Sequence, residues 1–304
     1  MDDVMQEQLK ERYMAATYSF IDKVRDDPNV IAVIIGGSLA YDVVWEKSDI
    51  DMTLVVRDQV LKHDNYCIME DGIVINVHLM LRSSFKRGLE RNIGGSFSQS
   101  YFSKGTMVYS TDDSLVDFFE DLKEIGSDDI ALSAFHIAGS LVHVYEKAQK
   151  WLKARRDPLY AQYYLLKAAE SIAHMELCLR GEAISREAIQ QALRTAPEVL
   201  APFYQDAMSR RLSPEEIAES IDRIDRYLES HLGIIQKPLL EFMSDQEIKT
   251  VTLISKHFQV YSEFIVGTLD YLADKGVIER VSQSIRLTPK SKPAVEEIGY
   301  LYIP

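Results

Sequence analysis

Hydrophobic and polar residues follow two different periods along the first 125 residues, one typical of helices and one of strands. Apolar positions recur at helical spacing from Val4 to Val24 and predict an amphipathic helix. A continuous apolar run from Val30 to Ile35 predicts a buried strand, which stops at Gly36-Gly37-Ser38. From Asp49 to Val56 acidic and apolar residues alternate, and this pattern predicts a second strand.

The rest of this region predicts a small α+β layer around those two strands. Glu70-Asp71-Gly72 separates two apolar runs, Tyr66–Met69 and Ile73–Leu81, which is typical of a β-hairpin. Along the second run, the odd-numbered residues share one face, and Asn76 and His78 share the other. Further elements are predicted as a short helix at Leu39–Trp45, a turn at Gly94–Ser96, a strand at Thr106–Ser110 and a helix at Ser114–Ile125.

From residue 127 onward the apolar spacing is that of helices. Gly181 is positioned to end one helix, and Ser213-Pro214 is a helix-start signal with proline at the first helical position. The pattern predicts an antiparallel bundle of about four or five helices. The predicted helices include Ile130–Lys153, Leu159–Arg180, Ser185–Ala196 and one from Ser213 towards His231.

Residues 244–304 have a different pattern, in which two helices precede two short strands. This order is typical of a winged helix, a fold that often binds DNA. The segment carries seven Lys and Arg against eight Asp and Glu, a balance that argues against DNA binding, so we expect a role in packing, dimerisation or covering a substrate. The predicted elements are helices at Asp245–Ser255 and Tyr261–Lys275 and strands at Gly276–Val281 and Ser284–Pro289.

The sequence therefore predicts an α+β protein with three domains. Residues 1–125 form a mixed sheet with helices, residues 126–243 an antiparallel helical bundle, and residues 244–304 a small winged-helix-like domain. The composition, 46% hydrophobic and 27% charged, is that of an ordinary globular protein. The net charge of −13 disfavours a protein that coats nucleic acid, but it leaves room for a local site for an anionic substrate.

The remaining composition points to the cytoplasm. Cys67 and Cys178 are the two cysteines, and their spacing is not that of a metal site, so we expect reduced thiols and a cytoplasmic protein. The charged N-terminal stretch has no apolar signal core, and no apolar run is long enough to cross a membrane. We therefore expect no association with a membrane.

The chemistry of the chain is concentrated between residues 36 and 51. Asp49 and Asp51 are two residues apart on a strand and point to the same side, and two adjacent carboxylates repel each other unless a cation or a proton lies between them. Gly36-Gly37-Ser38 can offer backbone N–H groups to a phosphate, because glycine permits a close approach. Together these features predict a site for Mg²⁺ and a nucleotide.

Gly36-Gly37-Ser38 followed by Asp49-x-Asp51 resembles the signature of the nucleotidyltransferase superfamily, whose polymerase-β-like fold we therefore expect. Tyr145-Glu146-Lys147-Ala148-Gln149-Lys150-Trp151 resembles a segment of the kanamycin (aminoglycoside 4′-O-) nucleotidyltransferase family. The resemblance covers roughly residues 30–243, and the shorter kanamycin enzyme has no counterpart of the tail.

That resemblance implies an activity and a role for each matching residue. Gly37 and Ser38 hold the β- and γ-phosphates of a nucleoside triphosphate, with ATP as the expected one, and Asp49 and Asp51 bind Mg²⁺. Lys150 contacts the phosphates, and Glu146 is the general base on a hydroxyl of a small molecule such as an aminoglycoside. The family also implies a homodimer with its site built across the two chains.

One position departs from the family pattern. A third carboxylate is usual on a later strand, and the matching position here holds Asn76, which adds no charge to a metal site. Four alternatives remain open at this point: a slow enzyme, a variant that depends more on Glu146, a nucleotide-binding regulatory protein that no longer transfers, and an antitoxin-like enzyme that modifies a protein partner. Glu146 and Lys150 are also spaced as an ordinary solvent-exposed ion pair on a helix.

Overall fold

The computed structural model describes residues 3–40, 44–85, 102, 105–121, 127–182, 184, 187–288, 290, 292 and 294–304. The chain divides into two compact units, Met1–Ile125 and Gly126–Pro304. The separation of residues 244–304 as a further domain stays a prediction. In the described ranges, no helix combines the length and the apolar character needed to span a bilayer.

The first unit is built on a five-stranded mixed sheet with the order β3-β4-β2-β1-β5. Strand β2 runs parallel to β4, and every other neighbouring pair is antiparallel. Helices accompany the sheet. The elements of this unit are α1 (Asp3–Val24), β1 (Val30–Gly36), α2 (Gly37–Ala40), β2 (Ile50–Val56), β3 (Asn65–Glu70), β4 (Ile73–Leu81), β5 (Thr106–Ser110) and α3 (Asp113–Asp121).

The sheet is covered on both faces, which explains why β1 is apolar throughout. One apolar cluster joins α1 to one face of the sheet, with Tyr13 and Val33 among its buried members. A second cluster lies on the opposite face and includes Ile34 and Phe119 of α3. All seven residues of β1 are buried.

The predicted sheet elements of this unit agree with the structure. The Asp71-Gly72 turn joins β3 and β4, and both residues have positive φ, as a two-residue hairpin turn requires. The odd-numbered residues from Ile73 to Val77 are buried, and Asn76 and His78 on the other face are half-buried. The helix predicted at Leu39–Trp45 begins earlier, at Gly37, and includes Leu39 and Ala40, whereas residues 44–45 are not helical. Residues 41–43 lie outside the described part of the chain. Gly94–Ser96 lies outside the described residues.

The second unit is helical and ends in a three-stranded antiparallel sheet with the order β6-β8-β7. A single apolar cluster extends from Ala134 to Tyr300, so the bundle helices and the C-terminal elements share one core. The elements of this unit are α4 (Ser127–Gln149), a π-helical turn (Lys150–Ala154), α5 (Pro158–Leu179), α6 (Ala188–Thr195), α7 (Pro197–Leu200), α8 (Gln205–Ser209), α9 (Pro214–Ser230), α10 (Leu232–Phe242), β6 (Lys249–Thr250), α11 (Val251–Phe258), α12 (Ser262–Asp274), β7 (Glu279–Ile285) and β8 (Val295–Leu301).

The bundle follows the start and stop signals of the sequence. Gly181 has a φ of +67° just after α5, and Ser213 forms a capping box with Glu216 at the start of α9. The buried amide of Gln162 on α5 donates to the carbonyls of Ala207 and Arg210 at 2.7 and 2.8 Å, and its oxygen accepts from the N–H of Leu212 at 2.9 Å. This side chain ties α5 to the segment that precedes α9.

Three predictions about this unit are corrected by the structure. The long helix predicted to Lys153 changes to π-helical geometry at Lys150. The helix predicted at Asp245–Ser255 begins at Val251, because Lys249 and Thr250 pair with β8 instead. The two strands predicted between Gly276 and Pro289 are in fact one strand, β7, and its partner is β8 near the C-terminal end of the sequence.

Candidate functional site

Three neighbouring strands of the first unit align the residues of the predicted nucleotide site. Gly36 at the end of β1 is paired with Asp51 of β2, and Asp51 is paired in the parallel register with Asn76 of β4. Residues paired across strands project to the same face of a sheet. The side chains of Asp51 and Asn76 therefore lie next to each other at the point where β1 turns into α2.

Gly37 at this turn is held in close contact with Asp51. It is buried and has a φ of +63°, a conformation that side-chain-bearing residues rarely adopt. A Cβ atom at this position would overlap Oδ2 of Asp51 and lie 3.0 Å from its Cγ. The absence of a side chain at residue 37 thus provides the space that the carboxylate of Asp51 occupies.

Asp49 lies immediately before β2 and is exposed. The amide of Asn76 donates a hydrogen bond from Nδ2 to Oδ2 of Asp49 over 2.5 Å. Because Asn76 is also the strand neighbour of Asp51, the two aspartates and the asparagine form one cluster on one side of the sheet. This arrangement agrees with the expectation that Asp49 and Asp51 point to the same side.

The segment that leads into Asp49 is anchored by α1, which the sequence alone did not indicate. The buried hydroxyl of Tyr13 donates to the carbonyl of Ser48 at 2.7 Å, and Gln6 donates to the carbonyl of Val44 at 2.7 Å. Burial raises the pKa of Tyr13; the positive charge of Arg12 lowers it, and the negative charge of Asp49 raises it. The backbone before Asp49 is therefore fixed by hydrogen bonds from a packed helix.

The donor set of this cluster suits Mg²⁺. Carboxylate oxygens are the ligands that Mg²⁺ prefers, and it commonly takes one or two of them together with water and substrate phosphate. Asp49 and Asp51 meet that requirement. Within the described residues, no group of three or more His, Cys, Asp and Glu side chains is placed to hold a metal ion. His78, farther along the same face of β4, lines an open cleft of about 510 Å³ together with His63 and Asp64.

Glu146 and Lys150 belong to the second unit. Glu146 is exposed on α4, and its two carboxylate oxygens would both be 3.8 Å from a Cβ atom added to Gly267 of α12. Helix α12 therefore packs on the face of α4 that carries Glu146. Lys150 is exposed and is the first residue of the π-helical turn, which follows directly on α4.

The structure thus brings together Gly37, Asp49 and Asp51, with Asn76 beside them. It places Glu146 against Gly267 within the second unit, a contact that no sequence motif indicated. The side chain of Ser38 lies outside the described part of the chain. The roles predicted for these residues stay predictions.

The fold has a counterpart among solved structures. The fold is similar to that of a crystal structure of a nucleotidyltransferase-like protein from Exiguobacterium sibiricum 255-15, with a TM-score of 0.67 and 18% sequence identity. The match covers 95% of this chain and 99% of that chain. The chain is therefore an α+β protein with a nucleotidyltransferase-like fold. No family model matches the sequence, and no curated protein matches it.

Proposed function

We propose that this chain, whose fold is nucleotidyltransferase-like, transfers a nucleoside monophosphate from a nucleoside triphosphate to a hydroxyl group. The proposal rests on the cluster of Asp49 and Asp51 beside the turn at Gly37, where carboxylates and backbone N–H groups are available together. We further propose ATP as the triphosphate, a hydroxylated small molecule such as an aminoglycoside as the acceptor, and a cytoplasmic homodimer as the active form.

In this proposal Asp49 and Asp51 bind the metal, and the turn at Gly37 and Ser38 binds the β- and γ-phosphates. When bound, Mg²⁺ neutralises negative charge on the phosphate oxygens. The acceptor oxygen forms a bond to the α-phosphorus, the bond to the bridging oxygen breaks, and pyrophosphate leaves with that oxygen. Glu146 accepts the proton of the acceptor hydroxyl, and Lys150 contacts the phosphates.

The C-terminal residues 244–304 are proposed to be winged-helix-like and to serve in packing, in dimerisation or in covering a substrate rather than in binding DNA. The strand order β6-β8-β7, with α11 and α12 between β6 and β7, supports the winged-helix-like assignment. DNA readers of this kind place their second motif helix in the major groove. From Ile265 to Ala273, no residue of α12 is exposed, so this part of the helix offers no exposed face to a groove.

A specific observation favours a second candidate function, a regulatory protein that binds a nucleotide without transferring it. Asn76 stands where a third carboxylate is usual, and its amide already donates to Oδ2 of Asp49. That hydrogen bond occupies one of the oxygens proposed to bind the metal. Loss of a third negative charge weakens metal binding and the activation of a hydroxyl.

The deciding experiment measures pyrophosphate release from each of the four ribonucleoside triphosphates with Mg²⁺, across a panel of aminoglycosides and lincosamides. We expect release with at least one acceptor, loss of release in the Asp49→Ala/Asp51→Ala double variant, and retention in Asp22→Ala/Asp26→Ala, which removes two exposed acids of the same unit. Equal release by both double variants would exclude the aspartates from the site.

A thermal-shift titration with triphosphate and Mg²⁺ separates the two candidates. Binding together with pyrophosphate release supports the transferase. Binding that depends on Asp49 and Asp51, without release for any acceptor, supports the regulatory protein. In the transferase, Glu146→Gln lowers turnover and leaves triphosphate affinity unchanged, and Glu170→Gln, an exposed acid on α5, changes neither.

A further inference from the structure

Helix α5 presents a row of aromatic side chains to the solvent. Tyr160, Tyr163 and Tyr164 are spaced three and four residues apart, so they lie on one side of the helix. The opposite side, which includes Ala161 and Leu165, is buried in the core of the second unit. Tyr160 and Tyr163 are 42% and 44% exposed, and Tyr164 is half-buried.

The row continues onto the π-helical turn. The ring of Trp151 lies 4.3 Å from that of Tyr160, and the tyrosine rings lie 5.5 to 5.6 Å from one another. We call these four side chains, Trp151, Tyr160, Tyr163 and Tyr164, the aromatic stripe. Along α5 alone the stripe and the following Lys167 extend about 10 Å, which is room for a few stacked bases.

Positive charge surrounds the stripe. Residues 147–167 contain six of the 34 Lys and Arg residues of the chain and one of its 47 Asp and Glu residues. The single acid, Asp157, accepts a hydrogen bond from the N–H of Tyr160 at 3.0 Å and caps α5. Its charge is therefore directed at the helix start. Residues 147–167 are thus a strongly basic segment of a chain whose net charge is −13.

The cations alternate with the rings instead of forming a separate patch. The guanidinium carbon of Arg155 lies 5.9 Å from the ring centre of Trp151. The Nζ atom of Lys167 lies 5.2 Å from the ring centre of Tyr163 and 5.9 Å from that of Tyr164. Lys153 and Arg156 are exposed at the edge of the same segment.

We propose that the aromatic stripe and its cations bind single-stranded nucleic acid. Exposed rings provide surfaces on which bases stack without regard to sequence, and interleaved Lys and Arg side chains contact the phosphates. A second copy of this chain is disfavoured as the occupant. In a two-fold contact through the stripe, the cations of one chain would face the same cations of the other and repel them. The variants that test this surface leave Glu146 and Lys150 in place, so the proposal stands or falls separately from the transfer reaction.

The test measures binding of fluorescein-labelled 12-nucleotide oligouridylate and oligodeoxythymidylate by fluorescence anisotropy at 50 mM salt and above. We expect Tyr160→Ala/Tyr163→Ala to weaken binding about tenfold or more, since each stacked base contributes about 1–3 kcal/mol. Lys153→Glu/Arg156→Glu should weaken binding and reduce the salt slope by about 1 to 2. The matched control Arg226→Glu/Lys256→Glu reverses two exposed charges outside the stripe and should change the affinity less than twofold.

Several outcomes would overturn the proposal. Equal loss of affinity in the stripe variants and in the control would mean that bulk charge alone attracts the strand. Phosphatidylserine vesicles or polyglutamate could also bind as tightly as the oligonucleotides. If that binding were equally sensitive to Tyr160→Ala/Tyr163→Ala, the surface would belong to another class of partner. If the wild type is a dimer and this variant is a monomer in sedimentation, the stripe is a self-association surface.

Two controls accompany the test. Circular dichroism checks that each variant is folded, and Tyr160→Phe should retain binding because it retains the ring.

Discussion

Asn76 and Asp49 are joined by a hydrogen bond from the amide Nδ2 to the carboxylate Oδ2, although they lie 27 residues apart in sequence. Asn76 is also the direct strand neighbour of Asp51. A neutral side chain therefore contacts both acids of the proposed metal site. The effect of adding a negative charge at Asn76 can be measured directly.

We predict that Asn76→Asp lowers the free energy of unfolding by about 1 kcal/mol without a divalent cation, because three carboxylates then share one site. Mg²⁺ should restore this loss and stabilise the variant more than the wild type. Thermal unfolding with and without Mg²⁺ measures both effects. Asn65→Asp is the matched control, because the Asn65 amide also donates to an aspartate, Asp64, at 2.7 Å. A similar Mg²⁺ response in both variants would contradict a metal site at Asp49 and Asp51.

Gly37→Ala should both destabilise the first unit and abolish nucleotide binding. The new Cβ overlaps Oδ2 of Asp51 at a residue with positive φ, and we expect a loss of roughly 2–4 kcal/mol in the free energy of unfolding. Gly72→Ala separates the effect of positive φ from the effect of the overlap with Asp51. Its φ is +76°, but the nearest atom to its Cβ, Nη2 of Arg12, is 3.8 Å away. That control should lose only about 1 kcal/mol. Equal losses in urea unfolding would exclude the contact with Asp51 as a cause.

Tyr13→Phe should weaken the binding of nucleotide with Mg²⁺ several-fold, because the segment before Asp49 loses the hydrogen bond to the Ser48 carbonyl. The free energy of unfolding should fall by about 1 kcal/mol. Tyr109→Phe also removes a bond from a tyrosine hydroxyl to a backbone carbonyl, that of Arg25 at 3.0 Å. Calorimetric titration measures the nucleotide affinity of both variants with Mg²⁺. If the two lose affinity alike, Tyr13 has no particular role in positioning Asp49.

Substitution of Gly267 tests the environment of Glu146. Gly267→Ala adds a Cβ at an ordinary contact distance of 3.6 Å from Val142 and should stabilise α12 by about 0.5–1 kcal/mol without affecting turnover. The longer side chain of Gly267→Leu should displace Glu146 and lower turnover while triphosphate affinity stays unchanged. Gly233→Leu places the same side chain on α10, where a Cβ meets nothing within 4 Å. Unchanged turnover in Gly267→Leu would argue against Glu146 as the base.

The two thiols should differ sharply in reactivity. Cys67 is exposed, whereas burial raises the pKa of Cys178 to about 11. At pH 8 iodoacetamide should modify Cys67 rapidly and Cys178 only in denaturant, which peptide mass spectrometry can resolve.

The stability of the fold should depend on pH through Cys178, because the unfolded thiol ionises at lower pH than the folded one. The stability that Cys178 contributes is complete below about pH 9 and is lost as the pH rises towards 11. Cys178→Ala should remove this dependence, and Cys67→Ala should retain it.

Local sequence patterns were sufficient to predict the part of the site built on adjacent strands. The apolar run of β1, the spacing of Asp49 and Asp51, and the alternation that puts Asn76 on the polar face all depend on short-range periodicity. The turn at Asp71-Gly72 set the register of β3 against β4. The position of Asn76 beside Asp51 depends on the parallel pairing of β2 with β4, and the sequence indicated it only through the family resemblance.

The predictions that were wrong depend on contacts between distant residues. Pairing of β7 with β8 bridges a nine-residue connection, and a simple hairpin between Gly276 and Pro289 fits the local sequence equally well. Tyr13 and Gly267 act through contacts with residues 35 and 121 positions away, Ser48 and Glu146, and no pattern within α1 or α12 identifies those partners. The π-helical turn likewise has no signal in its own sequence. The tyrosine spacing of the aromatic stripe is visible in the sequence, but only the structure shows that this side of α5 is exposed.

The buried amide of Gln162 has a consequence for the outer surface of the same helix. By bonding three backbone groups between Ala207 and Leu212, it immobilises the first turns of α5 from the inside. The rings of Tyr160, Tyr163 and Tyr164 are therefore carried by a backbone that is already ordered before any ligand arrives. A ligand on this surface would pay little conformational entropy on the protein side, so that even a few weak stacking contacts would suffice for measurable affinity.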